Sequence, residues 1–542
     1  MLPLQTDVLI VGAGPTGLAL ATALQQSGVD HLLVDALEYA QNTSRAGVVH
    51  PHTLEVLEMI GVTTPLSAEG TTVTDFTVRD RDQPLLGVSY AALPSAFRHM
   101  LLLPQSTTEA VLQAQLESLG GAVHRSVAAL RVTTDANGTA VQVKTAEGER
   151  TVHAHYVVGA DGMHSVIREA AGIAFQGTAY GESFVLADVC MDWPMGNSEV
   201  SLFFSPAGLV VVAPLPDGSY RVVATVDDAP DVPGIDLIQQ LLDTRGPVAK
   251  PAHVTDMVWS SRFRVHHRLA ETYRKGPILL MGDAAHVHSP AGGQGMNAGL
   301  VDAIVLGDAL TRVVRDGAPD SVLDDYAATR RPAAQLVLGL ASRLTRMATV
   351  RSALGRRVRN VVLRILNRIP PFKRNLSLAL SGISRRKYSV LPDRKPLETP
   401  FAPAPCSNHP PARGGAVMSV RTIQWWLAAV FVVLGGWCLV SPDSVLALTI
   451  TPTYQSEAPI VPILIGAFGA QALIAGLFAA FSRFEQRTFL AYGIGLLPFF
   501  VFDYWFYVVV PMLTWIGLLD VVGNVVMMGA CVAGWRAAGR DI

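Results

Sequence analysis

The run Asp7-Val-Leu-Ile-Val-Gly12-Ala-Gly14-Pro-Thr-Gly17 constrains the fold of this chain more than any other stretch. A short apolar run of buried-strand type meets a glycine-rich turn, which opens at once into a segment of helical character ending near Gly28. His31-Leu-Leu-Val-Asp35 then reads as a second strand. In a strand–turn–helix–strand of this kind, Gly12, Gly14 and Gly17 let the backbone approach a pyrophosphate. The helix N-terminus would offer unpaired N–H groups to its charge. Asp35, about 20 residues on, would accept hydrogen bonds from ribose hydroxyls. The pattern specifies a dinucleotide but does not choose between FAD and NAD.

Downstream, strand patterns alternate with a helix at about 107–119, and strands at 141–161 end in Tyr156-Val-Val-Gly-Ala-Asp161. Residues 175–265 are mostly of strand type, broken by turns such as Pro216-Asp-Gly218. This segment would form a substrate-facing sheet, with Tyr180, Phe203, Phe204 and Tyr220 as candidate pocket aromatics, although aromatics on strands are core residues more often than not. A strand at Ile278-Leu-Leu-Met281 precedes a glycine-rich loop and a helix of about 296–315. From Tyr326 to Pro392 there is no Asp or Glu, while Arg and Lys recur and 343–368 carries Leu and Val at helical spacing. This basic helical segment, about 333–388, either lies against anionic lipid headgroups or caps the domain with a solvated face.

Two further motifs carry a family resemblance. Gly159-Ala-Asp161-Gly162-Met-His-Ser165-Val-Ile-Arg168 resembles the Asp-Gly motif of class A flavoprotein monooxygenases, the aromatic (phenol) hydroxylase family. Gly282-Asp283-Ala-Ala-His286, followed by Pro290-Ala-Gly292-Gly293-Gln-Gly295-Met296-Asn297, is similar to the same family's Gly-Asp motif. Ser44-Arg45-Ala46, His50-Pro-His-Thr-Leu54, Pro104-Gln105 with Glu109, Asp302-Ala303 and Arg330-Arg-Pro332 agree, and the likeness runs over about residues 5–390. It implies a p-hydroxybenzoate hydroxylase-like fold. That is an α/β FAD-binding domain, Rossmann-like and of glutathione-reductase type, with an inserted β-rich substrate domain.

The same resemblance implies FAD as cofactor and NAD(P)H as cosubstrate. Asp161 joins the cofactor-binding set, Asp283 suits the ribityl chain, and Arg45 and Gln105 suit the pyrophosphate and ribityl hydroxyls. The backbone at Gly295, Met296 and Asn297 would open a helix toward the negative charge that a reduced flavin gathers. Pro290, Gly292 and Gly293 would form the loop beside the ring, the nearest thing to catalytic residues. His286 and Asp302 have structural readings too, as a strand-end hydrogen-bonder and a helix cap. No substrate-deprotonating base is identified, and His286-Val-His288 reads as local hydrogen bonding, with no metal site expected.

The implied reaction reduces FAD with NAD(P)H, forms a flavin C4a-hydroperoxide from O2, and passes one oxygen atom to an aromatic or phenolic substrate. One dinucleotide fingerprint and no redox-active CxxxxC pair fit a transiently bound NAD(P)H. The alternatives are an isoprenoid epoxidase or reductase on the same scaffold, or a membrane flavoprotein that reduces a quinone.

A Pro/Gly-rich linker at 389–420 ends the resemblance, and four apolar segments follow at about 422–441, 459–481, 488–510 and 512–535. Each is close to the roughly 20 residues that cross a bilayer. Trp425, Trp426, Trp515 and Trp535 sit near their ends, and Arg413, Arg421, Arg483, Arg487, Arg536 and Arg540 all fall on one side. The expectation is an all-α transmembrane region over 421–536, with the catalytic part (1–390) and the C-terminus cytosolic. A buried soluble bundle is the bland reading. Asp503, Asp520 and Asn524 inside the spans suit either a polar substrate pocket or helix–helix contacts. A membrane lipid partner tilts the substrate class toward hydrophobic polyketide or meroterpenoid intermediates of secondary metabolism.

A net charge of -2 gives no reason to expect nucleic acid. The scattered Cys190, Cys406, Cys438 and Cys531 argue against a disulfide framework. The first residues lead straight into a strand, so no cleaved signal peptide is expected.

Overall fold

The computed structural model describes residues 2–40, 46–135, 138–226, 229–289, 292–348, 350, 352–389, 420–450, 455, 460–481, 484–504, 514 and 518–538. The chain divides into two compact units, Met1–Ala402 and Pro403–Ile542.

The first unit is built on a sheet whose core strand order is Ile278–Leu280, Gly148–Gly159, Gln5–Val11, His31–Val34, Val123–His124, all parallel. Val8, Leu9 and Ile10 are fully buried, as a central parallel strand covered on both faces requires. Register decides what this sheet can do. Val11 pairs with Gly159 and with Val34, and Gly159 pairs with Leu280, so the strands end level with one another. The loops that follow them therefore leave one edge together, which is where doubly wound sheets bind ligands.

The helix Pro15–Ser27 starts with Pro at its first turn and stops at Gly28, whose φ of 68° closes the C-terminus through bonds to Gln25 and Leu24 carbonyls. Its Leu18, Leu20 and Leu24 are fully buried, each worth about 2 kcal/mol against exposure.

A second sheet, eight-stranded among the described residues, is mainly antiparallel and runs from His286–Val287 to Gln83–Ser89. Two long strands, Phe175–Asp192 and His253–Ala270, form its spine. The β-rich character expected for 175–265 is present. The sheet also recruits Asp75–Asp80, paired in parallel with Glu199–Ser205, which sequence distance concealed. The single basic helix anticipated over 343–368 is instead two helices, Val322–Ala348 and Ala353–Asn367. Ser352 starts the second one by accepting a hydrogen bond from the Gly355 N–H at 3.1 Å.

In the second unit the helices are Val420–Val440, Pro442–Thr449, Ile460–Phe481, Gln486–Tyr504 and Leu518–Ala538. Gly435 and Gly469 let two of them touch: a Cβ on Gly469 would lie 2.6 Å from the Gly435 carbonyl oxygen. The short helix Pro442–Thr449 occupies what reads from sequence as a loop. Among the described residues no single helix is long and apolar enough to cross a membrane. The pair Leu427–Val440 and Pro442–Thr449, bent by 102°, passes that test together, and Ile465–Ala480 is a shorter apolar helix. The side chains of Asp503 and Asp520 lie outside the described residues, and Asn524 is buried.

Candidate active site

The three glycine-containing motifs meet at the level edge of the first sheet. Gly12 has φ of 106°, and a Cβ there would lie 2.4 Å from the Ala160 carbonyl oxygen; a Cβ on Gly17 would lie 1.8 Å from that of Gly12. These two glycines let the first turn pack against the helix and the Asp-Gly loop. Gly14 differs, because a Cβ there would meet nothing within 4 Å. It faces open space, and no side chain caps the helix it begins. That is a fitting cradle for a phosphate.

Behind the cradle, Asp35 accepts from the Ala13 N–H at 2.6 Å and the Leu37 N–H at 2.8 Å, with Arg125 3.9 Å away. Gln105, at the start of the helix Gln105–Ser118, donates to Glu109 at 2.9 Å and accepts from the Ala46 N–H at 3.3 Å. Arg45 lies outside the described residues.

A cavity of about 500 Å³ runs from this edge into the second sheet. Gly14, Gln105, Gly162, Asp283, Gly292, Gly293, Gly295 and Met296 line one part of it. The helix Gly295–Val314 opens on this cavity without a side-chain cap, so its N-terminal dipole favours negative charge there. Asp283 presents an exposed side chain to the same space. The donors, the carboxylate and the uncapped helix ends fit a flavin dinucleotide.

Five of the anticipated cofactor ligands, Gly12, Gly17, Asp35, Asp161 and Asn297, do not line the cavity; the two glycines and Asp35 support the first turn from behind. Asp161 accepts from the Ile167 N–H at 3.3 Å, its other oxygen is buried without a partner among the described residues, and burial pushes its carboxyl up. Asn297 spends its side chain inside the protein, donating to Val48 and Gly293 carbonyls at 2.9 and 2.7 Å and accepting from the His50 N–H at 2.8 Å. Both shape loops by tying backbone together. Pro290 lies outside the described residues. Gly292 and Gly293 both have positive φ, 89° and 61°, and a Cβ on Gly293 would strike the Val48 side chain at 2.2 Å.

That loop is held by His50 and Gln294, which stand in matched motifs without an assigned role, and by Arg385, which no motif marks. His50 donates through Nε2 to the Gly292 carbonyl at 2.9 Å, and Gln294 donates to the Gly292 and Leu380 carbonyls at 3.0 and 2.8 Å. Arg385 donates to Gln294 Oε1 at 2.5 Å. Burial lowers both His50 and His288 to about 4, so both rings are neutral near pH 7. Beneath the loop, Asp302 is completely buried and accepts from Arg330 Nε and His286 Nε2, both at 2.7 Å, and from the Gly282 N–H at 3.2 Å. Asp302 and His286 are thus one ion-pair network fixing the Gly-Asp motif, more than a helix cap and a strand end.

The rest of the cavity is mainly apolar. Phe76, Tyr90, Phe184, Leu202, Val211 and Phe263 wall it, and the Phe184 and Phe263 rings stack 5.7 Å apart. Phe203, Phe204 and Tyr220 do not line it. Phe203 is fully buried in a second cluster with Ile238 and Leu242, on the opposite face of its strand from Leu202. Phe204 packs under Arg359, and the Tyr180 side chain lies outside the described set. One buried charge enters the chamber: Arg221 makes two 2.7 Å bonds to Asp188 and donates to the Ala46 carbonyl at 2.6 Å. An Arg in the strand Tyr220–Val226, otherwise apolar after its first residue except for Thr225, was the available signal for it.

Comparison with known proteins agrees with this geometry. The profile of the FAD binding domain family matches residues 5–341. The chain is 34% identical over 375 residues to the 6-methylpretetramide 4-monooxygenase of Streptomyces rimosus, covering 68% of this chain and 67% of that one. It is 33% identical to the pentachlorophenol 4-monooxygenase of Sphingobium chlorophenolicum, covering 61% and 63%. The chain thus spans about two thirds of the length of these relatives. The crystal structure of p-nitrophenol 4-monooxygenase from Pseudomonas putida DLL-E4 superimposes with a TM-score of 0.64 at 25% identity, over 70% of this chain and 99% of that one. With the family profile covering more than half its length, the chain belongs to the FAD binding domain family and is an FAD-dependent monooxygenase related to the aromatic hydroxylases.

Proposed function

We propose that the enzyme hydroxylates a hydrophobic aromatic or phenolic substrate, consuming NAD(P)H and O2, within secondary metabolism. The observation that carries this reading is that one cavity joins the dinucleotide cradle to a chamber walled by aromatic and aliphatic side chains. In balance, NAD(P)H, a proton, O2 and the substrate C–H give NAD(P)+, water and the substrate C–OH. FAD, when bound, would supply the redox chemistry, two-electron transfer from NAD(P)H and activation of O2. The protein's own part is positioning. Asp35, Gln105 and Asp283 are the side chains that would hold the dinucleotide. The N-terminus of Gly295–Val314 stabilises developing negative charge beside the Gly292–Gly293 loop. Phe184, Phe263 and Tyr90 would exclude water and offer aromatic surface to a planar substrate.

We further infer that the second unit holds the enzyme at a membrane with the catalytic unit and the C-terminus on the cytosolic side. Supporting this, Ile460–Phe481 contains no charged residue, and Val433, Val440 and Phe478 are 67%, 84% and 65% exposed. Such apolar surface belongs against lipid or protein.

The test is the purified, detergent-solubilised protein. It should be yellow, oxidise NADH or NADPH with matching O2 uptake when given a panel of phenols and polycyclic aromatics, and add one oxygen atom to the product mass. Anaerobic turnover with a quinone acceptor, or product mass raised by two hydrogens, would refute hydroxylation.

A further inference from the structure

The helix Ala353–Asn367 presents three different faces. Its inner face is fixed to the first unit: Arg359 and Leu363 are buried, Arg359 donates to the Met347 carbonyl at 3.0 Å, and the Asn367 side chain accepts from the Gly87 N–H at 3.0 Å. Its outer face is apolar and uncovered. Val358, Val361, Val362 and Ile365 are 54%, 52%, 45% and 55% exposed, and Ile369, just beyond the helix, is 40% exposed. Their spacing of i, i+3, i+4, i+7 and i+11 makes one continuous stripe. Along one flank of that stripe, at i, i+7 and i+11, stand the exposed Arg357, Arg364 and Arg368. No carboxylate occurs between residues 326 and 392 to balance them.

A solvated basic face would carry polar residues where the valines and isoleucines stand. Because the inner face is tied down, the stripe cannot be buried by turning the helix. An apolar strip edged by cations, without acidic residues, is the composition that inserts side chains among acyl chains while pairing guanidinium groups with anionic headgroups.

We propose that this helix docks the catalytic unit flat on an anionic lipid bilayer. The proposal stands on the first unit's own surface and needs no span in the second. Docking here has a consequence for substrate supply. Leu363 on the inner face belongs to the same buried cluster as Phe184, Leu202 and Leu209, which wall the active-site cavity. The bilayer would thus lie one helix thickness from the chamber, suiting a substrate dissolved in lipid.

The experiment uses the full-length protein reconstituted in phosphatidylglycerol or phosphatidylcholine vesicles, some with brominated acyl chains. Val361→Cys carries an environment-sensitive fluorophore, in a background with the four native cysteines changed to serine; Val232→Cys, at a 76% exposed site, is the control. The expected result is a blue-shifted label at 361, quenched by brominated phosphatidylglycerol, with the label at 232 unaffected. Quenching should fall severalfold in phosphatidylcholine, in high salt, and in the Arg357→Gln/Arg364→Gln/Arg368→Gln variant. A label at 361 that stays at its water emission overturns the proposal. So does a blue shift without bromine quenching, which would mean that protein covers the stripe. Should the cysteine-free background fail to retain flavin, photoactivatable phosphatidylglycerol added to the unaltered protein decides instead. Adducts within 357–369 support docking, and adducts confined to 420–538 overturn it while favouring a membrane-embedded second unit.

Discussion

Substituting Asp302 probes whether the buried network under the Gly-Asp motif holds the flavin edge in place. Its carboxylate has no solvent exposure and is bonded by Arg330, His286 and the Gly282 N–H at 2.7, 2.7 and 3.2 Å. Asp302→Ala leaves Arg330, itself 4% exposed, without its counter-charge, and strands the backbone donor next to Asp283. Removing one partner of a buried ion pair costs about 3–5 kcal/mol. At about 2.1 cal/mol/K per residue, the unit Met1–Ala402 unfolds with an entropy near ~0.85 kcal/mol/K, so the midpoint should fall by about 4–6 °C. Flavin fluorescence on heating reports the same event, since the released cofactor brightens. Replacing the pair together, Asp302→Leu with Arg330→Met, should be less damaging than the sum of the single changes.

The pH dependence of this network has a definite sign. Burial alone would raise the Asp302 carboxyl, but Arg330 and His286 outweigh it and hold it below its usual range. A depressed carboxyl contributes stability that is present above its unfolded pKa of about 3.9 and lost as pH falls through the folded value. Wild type and Asp302→Asn should therefore converge in stability below about pH 4. An Asp302→Ala protein within about 1 kcal/mol of wild type, or a double variant as unstable as the summed singles, would refute the reasoning.

Asp35→Asn weakens one charge-assisted bond to the first turn, from the Ala13 N–H, and one from the Leu37 N–H, and FAD should bind about 10- to 100-fold more weakly by fluorescence titration; unchanged affinity would count against its role. Gly293→Ala adds a Cβ 2.2 Å from the Val48 side chain at a φ of 61°, so phenol-stimulated NAD(P)H oxidation should collapse while Gly218→Ala, a strained but distant turn, leaves it intact. Phe263→Ala should cost about 3 kcal/mol of stability and shift turnover toward bulkier aromatics, read from relative kcat/KM. His50 and His288 are buried in neutral form with values near 4 against about 6.5 unfolded, so each contributes stability above pH 6.5 that is lost toward pH 4, by up to ~3 kcal/mol. Chemical denaturation at pH 7 and 5 on His50→Gln should show a flatter profile than wild type.

What was legible from residues alone was local or fixed by neighbours in sequence. The strand, turn and helix around Gly12, Gly14 and Gly17 follow from a short apolar run, backbone freedom and a Pro-initiated helix, and the structure places them as read. The helix at Gln105–Ser118 and the one at Gly295–Val314 also lie where the patterns put them. The basic segment was legible as amphipathic, but its division into Val322–Ala348 and Ala353–Asn367, the second capped by Ser352, was not, because the apolar spacing runs on through both helices.

The walls of the chamber were not legible, and the reason is geometric. Adjacent residues on a strand face opposite sides, so whether Leu202 or Phe203 meets the substrate depends on which face of the sheet a helix covers. Ile235–Arg245 covers the Phe203 face, and nothing near residue 203 encodes that. Likewise Asn297 reads as a ligand in its motif, yet its amide is used up by Val48, His50 and Gly293 once the chain folds back. The sequence by itself determined a flavin cradle, through glycines and carboxylates at fixed spacing. Only the tertiary structure decided which side chains face the substrate, because strand register and long-range packing choose the exposed face of every strand around it.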